Sequence, residues 1–227
     1  MISRLKKLGI VLSLFGLGFI LASGYAYVKV QDGQNSLTAF SAAQNVRLSY
    51  NDEGQLVDRG TTEGAQAIMT LLTDDWGYPV EAAELNPNDP IINTGSEYMF
   101  EMATVAYHTL NGTQTVVLSE DVEFEGEVFP AGTYEVPVDG RYYADFNRAH
   151  PLEGPARGLA WSPVALSLIG QLGVGAVTAS SLQMGLGLAI LFGAVGFAFI
   201  VAGLGLVWAT RPETANVPVL RPASVPA

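Results

Sequence analysis

One face of a predicted helix has side chains that could perform acid–base chemistry or bind a metal ion. The pattern predicts a helix from Ser96 to about Leu110, where Asn111-Gly112 ends it. Spacings of three and four residues place four polar residues on one face of it: Glu97, Glu101, Thr104 and His108. With His150 brought from elsewhere, they could form an acid–base or metal site. The favoured interpretation is the solvated face of an amphipathic helix.

Clustered carboxylates offer a second possible site. Glu123, Glu125 and Glu127 alternate with apolar residues, and Glu120 and Asp121 precede them. Their oxygens suit Ca²⁺, but the spacing does not match an EF-hand loop. The acidic outer face of a sheet is the favoured interpretation.

The common catalytic signatures are missing from the sequence. It has no Gly-x-Ser-x-Gly, Ser-x-x-Lys or His-Glu-x-x-His sequence, and no glycine loop with lysine that would bind phosphate. Two histidines cannot form a three-histidine zinc site, and the absence of cysteine excludes disulfides and thiolate ligands. We therefore expect a protein that is not an enzyme and has no cofactor.

The elements that would position these residues are helical first and β later. Residues 46–50 and 55–57 flank a predicted hairpin turn at Asn51–Gly54, and a helix is predicted from Thr62 to about Thr73. After the helix at 96–110 we expect a β-meander of four strands: Thr113–Leu118, Val122–Phe124, Glu127–Phe129 and Thr133–Val138.

Two uncharged apolar runs, one near each end, predict membrane spans at residues 8–28 and 185–209. The first could instead be a cleaved signal peptide, although it exceeds a typical signal core. Residues 159–184 are uncharged but contain several polar side chains, so they predict a juxtamembrane helix, with a third span as the alternative.

The distribution of charge predicts the orientation. Three basic residues in the segment 1–7 and two after the last span place both termini in the cytoplasm, with a disordered tail at 210–227. The segment 29–158 then lies outside the cytoplasm, and with 21 acidic and six basic side chains its net charge is −15. Such a surface repels nucleic acid. The predicted fold class is membrane α-helical anchors (two spans) with an α+β extracytoplasmic domain in the cell membrane.

Small residues spaced four apart predict where the spans pack. Such residues let helix backbones approach closely in a membrane. The predicted packing positions are Gly9, Ser13, Gly18 and Ala22 in the first span, and Ala189, Gly193, Ala194, Ala198 and Ala202 in the second. The alternative is that Gly and Ala are simply common in membrane helices.

Aromatic residues between the predicted sheet and the last span indicate a contact surface. Tyr142, Tyr143, Phe146 and Trp161 lie near element ends or loops, where aromatic side chains often contact a partner.

The layout resembles that of uncharacterised two-span membrane proteins of actinobacteria. The resemblance rests on Leu37-Thr38-Ala39-Phe40 after the first span and on the run Val164–Trp208. It implies a membrane location and no known activity. Some such sequences are labelled ring-opening dioxygenases, but this one lacks a convincing set of iron ligands.

These features predict an accessory or scaffold subunit that contacts a larger membrane complex through its spans and its outer domain. Its expected partners are the lipid bilayer and a membrane protein or further copies of itself. The alternatives are an extracytoplasmic module that binds a ligand or cation and, ranked last, a membrane-bound enzyme using Glu101 and His108.

Overall fold

The computed structural model describes residues 2–211, and most of these residues are helical. The elements are α1 (Ile2–Gln44), α2 (Thr62–Thr70), α3 (Gly95–Leu110), β1 (Thr113–Leu118), β2 (Val122–Phe124), β3 (Glu127–Phe129), β4 (Gly132–Pro137), α4 (Glu153–Ala160) and α5 (Pro163–Ala209). A π-helical turn (Leu71–Asp75) extends α2, and a short 3-10 helix (Ala82–Glu84) precedes α3. Most of the predicted disordered tail, from Pro212 onward, lies outside the described residues.

The helices α1 and α5 are long and apolar enough to cross a membrane. They contain 43 and 47 residues. At about 1.5 Å per residue, each is roughly twice as long as the ~30 Å hydrocarbon core of a bilayer. Each helix therefore continues well beyond a single span.

The start of α5 follows the predicted capping chemistry. Ser162 Oγ accepts a hydrogen bond from the Ala165 N–H at 3.3 Å, and Pro163 is the first helical residue. From there α5 runs without a break to Ala209. A third span within 159–184 would require the chain to reverse before the last span, and α5 contains no such reversal.

The chain forms two compact units. One, the helix-pair unit, comprises Met1–Lys29 and Gly185–Ala227; the other, the mixed unit, comprises Val30–Met184. The long helices α1 and α5 each contribute residues to both units.

In the mixed unit, α3 lies between two clusters of buried side chains. Tyr98, Phe100 and Ala103 belong to the first cluster, with residues of α2 and the first half of α5. Ala106 and Leu110 belong to the second, with residues of β1, β4 and α4. Helix α3 is therefore packed on two sides, as expected of a central helix.

The strands form one interrupted hairpin, so the predicted meander is wrong. Strand β1 pairs with β4 and β2 pairs with β3, both antiparallel. Glu125 (φ 53°) and Gly126 (φ 87°) form the two-residue turn between β2 and β3, with the positive φ angles of a type I′ turn. Once this turn pairs β2 with β3, β4 continues back alongside β1.

The predicted hairpin around Asn51–Gly54 is reduced to a turn with a single bridge. Tyr50 pairs with Leu56, but Arg47 pairs with Ile91 instead. The Leu48 N–H donates to Pro90 O at 2.9 Å, and the Ile92 N–H donates to Val46 O at 3.2 Å. The side chains of Leu48 and Ile92 are buried in the first cluster. Local pairing persists beside this long-range contact, since the Val57 N–H donates to Ser49 O and the Asn51 N–H donates to Gln55 O, each at 3.0 Å.

Candidate functional site

In the helix-pair unit, small residues form a contact line between α1 and α5, which we call the seam. A Cβ atom built on Gly9 would lie 2.6 Å from Gly203 O, and one built on Gly16 would lie 2.6 Å from Gly196 O. Such distances leave no room for any side chain larger than hydrogen. The two backbones are in direct contact at these glycines, as in other membrane helix pairs with small residues at the interface.

Polar and aromatic contacts supplement the seam. Ser23 Oγ donates a hydrogen bond to Ala189 O at 2.7 Å, and the Phe19 ring lies 5.9 Å from the rings of Phe192 and Phe199. Hydroxyl-to-carbonyl hydrogen bonds between membrane helices contribute about 0.6–2 kcal/mol.

The seam includes some of the predicted packing positions and not others. Gly9, Ser13, Ala189 and Gly193 lie in it. Gly18 has no neighbouring atom within 4 Å of a built Cβ. The other four predicted positions outside the seam are exposed: Ala22, Ala194, Ala198 and Ala202.

Four seam residues were missed by the search for spacings of four: Gly16, Ser23, Gly196 and Gly203. Gly9, Gly16 and Ser23 recur every seven residues on α1, and Ala189, Gly196 and Gly203 do so on α5. Seven residues are about two helical turns, so each set lies along one face. Two matching seven-residue series were the sequence signal for this seam.

Two of the residues left outside the seam, Gly18 and Ala22, belong to an open groove on α1. The groove has a volume of about 440 Å³ and is lined by apolar residues alone: Val11, Leu14, Phe15, Gly18, Phe19 and Ala22. Gly18 and Ala22 are four residues apart, the spacing that permits close approach of another helix. The groove is therefore shaped for contact but is unoccupied by α5.

The polar stripe on α3 was expected to be solvated, and this expectation is wrong for the first residue of the stripe, Glu97. Glu97 is 1 % exposed, and its Oε2 accepts hydrogen bonds from the Asn93 and Thr94 N–H groups, each at 2.9 Å. Thr94 Oγ1 in turn accepts from the Glu97 N–H, which completes a capping box. The helix consequently begins at Gly95, and Glu97 serves its start.

At the other end of the stripe, His108 is hydrogen-bonded to Asp58, and the carboxyl of Glu101 lies nearby. His108 Nε2 lies 2.9 Å from Asp58 Oδ1, so the pair joins α3 to the turn before α2. Burial raises the pKa of Glu101, the nearby Asp58 charge raises it further, and His108 opposes the shift. Asp58, Glu101 and His108 are thus near one another, but none of the three lines any of five cavities found in residues 2–211.

We expect Glu101→Gln to stabilise the protein at alkaline pH. A carboxyl whose pKa is raised by folding favours the folded state fully below its ordinary pKa of 4.5, and this contribution is lost as the pH rises through the folded-state pKa. Gln avoids that loss, so its melting temperature at pH 8 should exceed that of the wild type by about 2 °C or more. Thermal unfolding at pH 4 and pH 8 measures this.

The same substitution at the exposed Glu125 is the matched control. We expect its melting temperature to follow the wild type at both pH values. A Glu101→Gln variant that is less stable than the wild type at pH 8 would show that the carboxylate stabilises the fold through His108.

His150 is separate from this stripe. Its ring lies between Phe124 and Phe129, with ring centres 5.4 and 5.0 Å away, and its Nδ1 accepts a hydrogen bond from the Leu152 N–H. Among residues 2–211 no group of three or more His, Asp or Glu side chains is arranged to hold a metal ion. The carboxylates of the acidic hairpin, Glu123, Glu125 and Glu127, are exposed.

The predicted aromatic contact surface is divided between core and surface. Phe146 and Trp161 are buried in the second cluster, so they cannot present a contact face. Tyr142 and Tyr143 remain accessible, with exposed fractions of 41 % and 39 %. Tyr142 stacks on Trp161 and accepts a hydrogen bond from Trp76 Nε1 at 2.8 Å, which fixes its position.

Comparison of the chain with protein-family models, curated proteins and solved structures finds no match. The resemblance to two-span actinobacterial membrane proteins therefore stays a prediction.

Proposed function

We propose that this chain is a membrane-anchored accessory or scaffold subunit that is not an enzyme. It uses the open groove on α1 to contact a helix of a larger membrane protein. The mixed unit faces the extracytoplasmic side, where Tyr142 and Tyr143 provide a second, separate contact surface.

The open groove is the observation that supports this proposal. The seam already joins α1 to α5 through Gly9, Gly16 and Ser23, so Gly18 and Ala22 have no role in that pairing. Phe15 and Phe19 flank Gly18 in the groove. An apolar membrane helix fits such a surface, because small residues between larger ones let two backbones approach and gain dispersion contacts that lipid chains make less well.

The proposed orientation rests on the charges that flank the spans. Arg4, Lys6 and Lys7 precede the first apolar run, and Arg211 follows the last. The positive-inside rule places these residues in the cytoplasm. The mixed unit, with its excess of carboxylates, is then on the opposite side, where no anionic cytoplasmic lipid surface repels it.

We expect Gly18→Leu to abolish association with the partner while leaving the chain folded. The test is purification of the tagged full-length protein in mild detergent, with mass spectrometry to identify and quantify stoichiometric partners. A leucine side chain at Gly18 fills the groove, so partner recovery should fall at least tenfold. The melting temperature should not change, because a built Cβ at Gly18 meets no atom within 4 Å.

Gly24→Leu is the control, since Gly24 also has open space around it but does not line the groove. It should retain the partner. A chain that purifies alone and monomeric, or a partner recovered equally with both variants, contradicts the proposal. If the only partner is a second copy of the chain, the groove is a homo-oligomer interface and the accessory-subunit proposal fails.

A further inference from the structure

The mixed unit contains a polar cavity of about 300 Å³, bounded by α1, the start of α3 and α5. Four amide side chains line it: Gln34, Asn35, Asn93 and Gln183. Each amide offers two N–H donors and an acceptor oxygen. No lysine or arginine lines the cavity. This composition differs from that of the apolar grooves elsewhere in the described chain.

Several of these polar groups are free to bind a ligand. Within residues 2–211, Asn35 forms no side-chain hydrogen bond, and neither does the Thr38 hydroxyl beside it. Gln34 has only a long contact, 3.4 Å, with Gln31 Nε2. Gln34 and Asn35 are exposed, so the α1 side of the cavity offers donors and acceptors that no other protein group occupies.

The carboxylates on the opposite side limit which charges can enter. Glu84 Oε2 accepts from the Ser96 N–H at 2.8 Å, and its Oε1 accepts from Gln183 Nε2 at 3.3 Å. The start of α3 therefore offsets much of the Glu84 charge, since the positive end of a helix dipole lies there. Asp89 is exposed, and its nearest partner in the cavity is Asn93 Nδ2 at 3.5 Å. An anion would meet two carboxylates without a cationic side chain.

We propose that this cavity binds a neutral polyhydroxylated ligand of mono- or disaccharide size. Each sugar hydroxyl both donates and accepts, so it satisfies amide N–H groups, amide oxygens and carboxylates together. A cation would use the acceptors and leave the amide N–H groups unpaired. Leu182 supplies an apolar wall for the C–H face of a sugar ring. The volume is at the lower end of the range for ligand cavities, which suits one or two rings.

The test is binding to the full-length protein of three probes: glucose, N-acetylglucosamine and trehalose. Isothermal titration should be done in an amine-oxide detergent, because a maltoside detergent carries a competing sugar headgroup. We expect saturable binding of at least one probe. Asn35→Ala should weaken its affinity at least tenfold, because the substitution removes both donors and the acceptor of a free amide.

Ser36→Ala is the matched control. Ser36 is the next residue of α1, lies outside the cavity, and its hydroxyl bonds to Asp32 O in its own helix. It should leave the affinity unchanged. The inference is overturned if none of the three sugars binds, if both variants bind alike, or if only Ca²⁺ or ethanolamine binds, which would make this a cation site. These outcomes are independent of the Gly18→Leu result, because none of the cavity residues lies in the groove on α1.

Discussion

Replacing Gly16 by leucine should separate the two long apolar helices, α1 and α5, and the effect should be among the largest that any single substitution in this chain produces. A Cβ at this position would lie 2.6 Å from Gly196 O and 2.9 Å from Ile200 N, both of which are backbone atoms. No rotamer change relieves a clash with the backbone, so the helices must move apart along the seam. Overpacking of this kind costs about 1–3 kcal/mol, and loss of the Ser23 hydrogen bond adds to it.

The absence of cysteine from the sequence makes this separation directly measurable. A Cβ on Gly193 would lie 3.8 Å from Ser23 Cβ, the usual separation in a disulfide. The double variant Ser23→Cys with Gly193→Cys should therefore form an intramolecular disulfide in high yield under mild oxidation. Adding Gly16→Leu should reduce that yield severalfold, as read by gel mobility with and without reductant.

Gly18→Leu provides the control on the same helix. The two glycines are two residues apart and share the apolar run, but Gly18 faces the open groove. Its disulfide yield should equal that of the unmodified cysteine pair. Equal reduction by both leucines would mean that bulk in α1, and not its position in the seam, disturbs the helix pair.

The elements of the fold could largely be predicted from the sequence, because they depend on local physics. Uncharged runs give the two long apolar helices, and Asn111-Gly112 ends α3 near the expected residue. The strand positions follow from turns such as Glu125-Gly126. The pairing of the strands does not follow from the turns. Whether β4 pairs with β1 or with β3 depends on how the strands pack against α4, and that packing is a contact between distant parts of the chain.

The site residues likewise divide into those that local spacing predicts and those that depend on contacts with another part of the chain. A spacing of four residues marked Gly9 and Ser13, which lie in the seam, and also Gly18 and Ala22, which lie on another face. Propensity and spacing describe one helix at a time. The seam depends on two helices, α1 and α5, whose small residues repeat at the same interval. The burial of Glu97 could not be predicted from periodicity, since a carboxylate on a helix face is normally solvated and only the loop before α3 gives it donors.

Glu97→Ala should destabilise the mixed unit by about 2–5 kcal/mol. The substitution removes the acceptor for the Asn93 and Thr94 N–H groups. Each unsatisfied buried donor costs about 1–3 kcal/mol, and loss of a helix cap alone costs about 1 kcal/mol. Because α3 contributes to both buried clusters of the unit, fraying at its start weakens packing against α2 and α5 as well. Thermal or denaturant unfolding of the full-length protein measures the loss.

Glu97→Gln separates the hydrogen bonds from the charge. One carboxylate oxygen, Oε2, accepts both backbone bonds, so the amide oxygen of glutamine can replace it. Burial raises the pKa of Glu97, which means that the surroundings disfavour its ionised form, and the neutral amide avoids this cost. We therefore expect Glu97→Gln to be at least as stable as the wild type at pH 8. If Gln destabilises the protein as much as Ala does, the negative charge at the start of α3 is what stabilises it, through the helix dipole. In that case the capping hydrogen bonds contribute little.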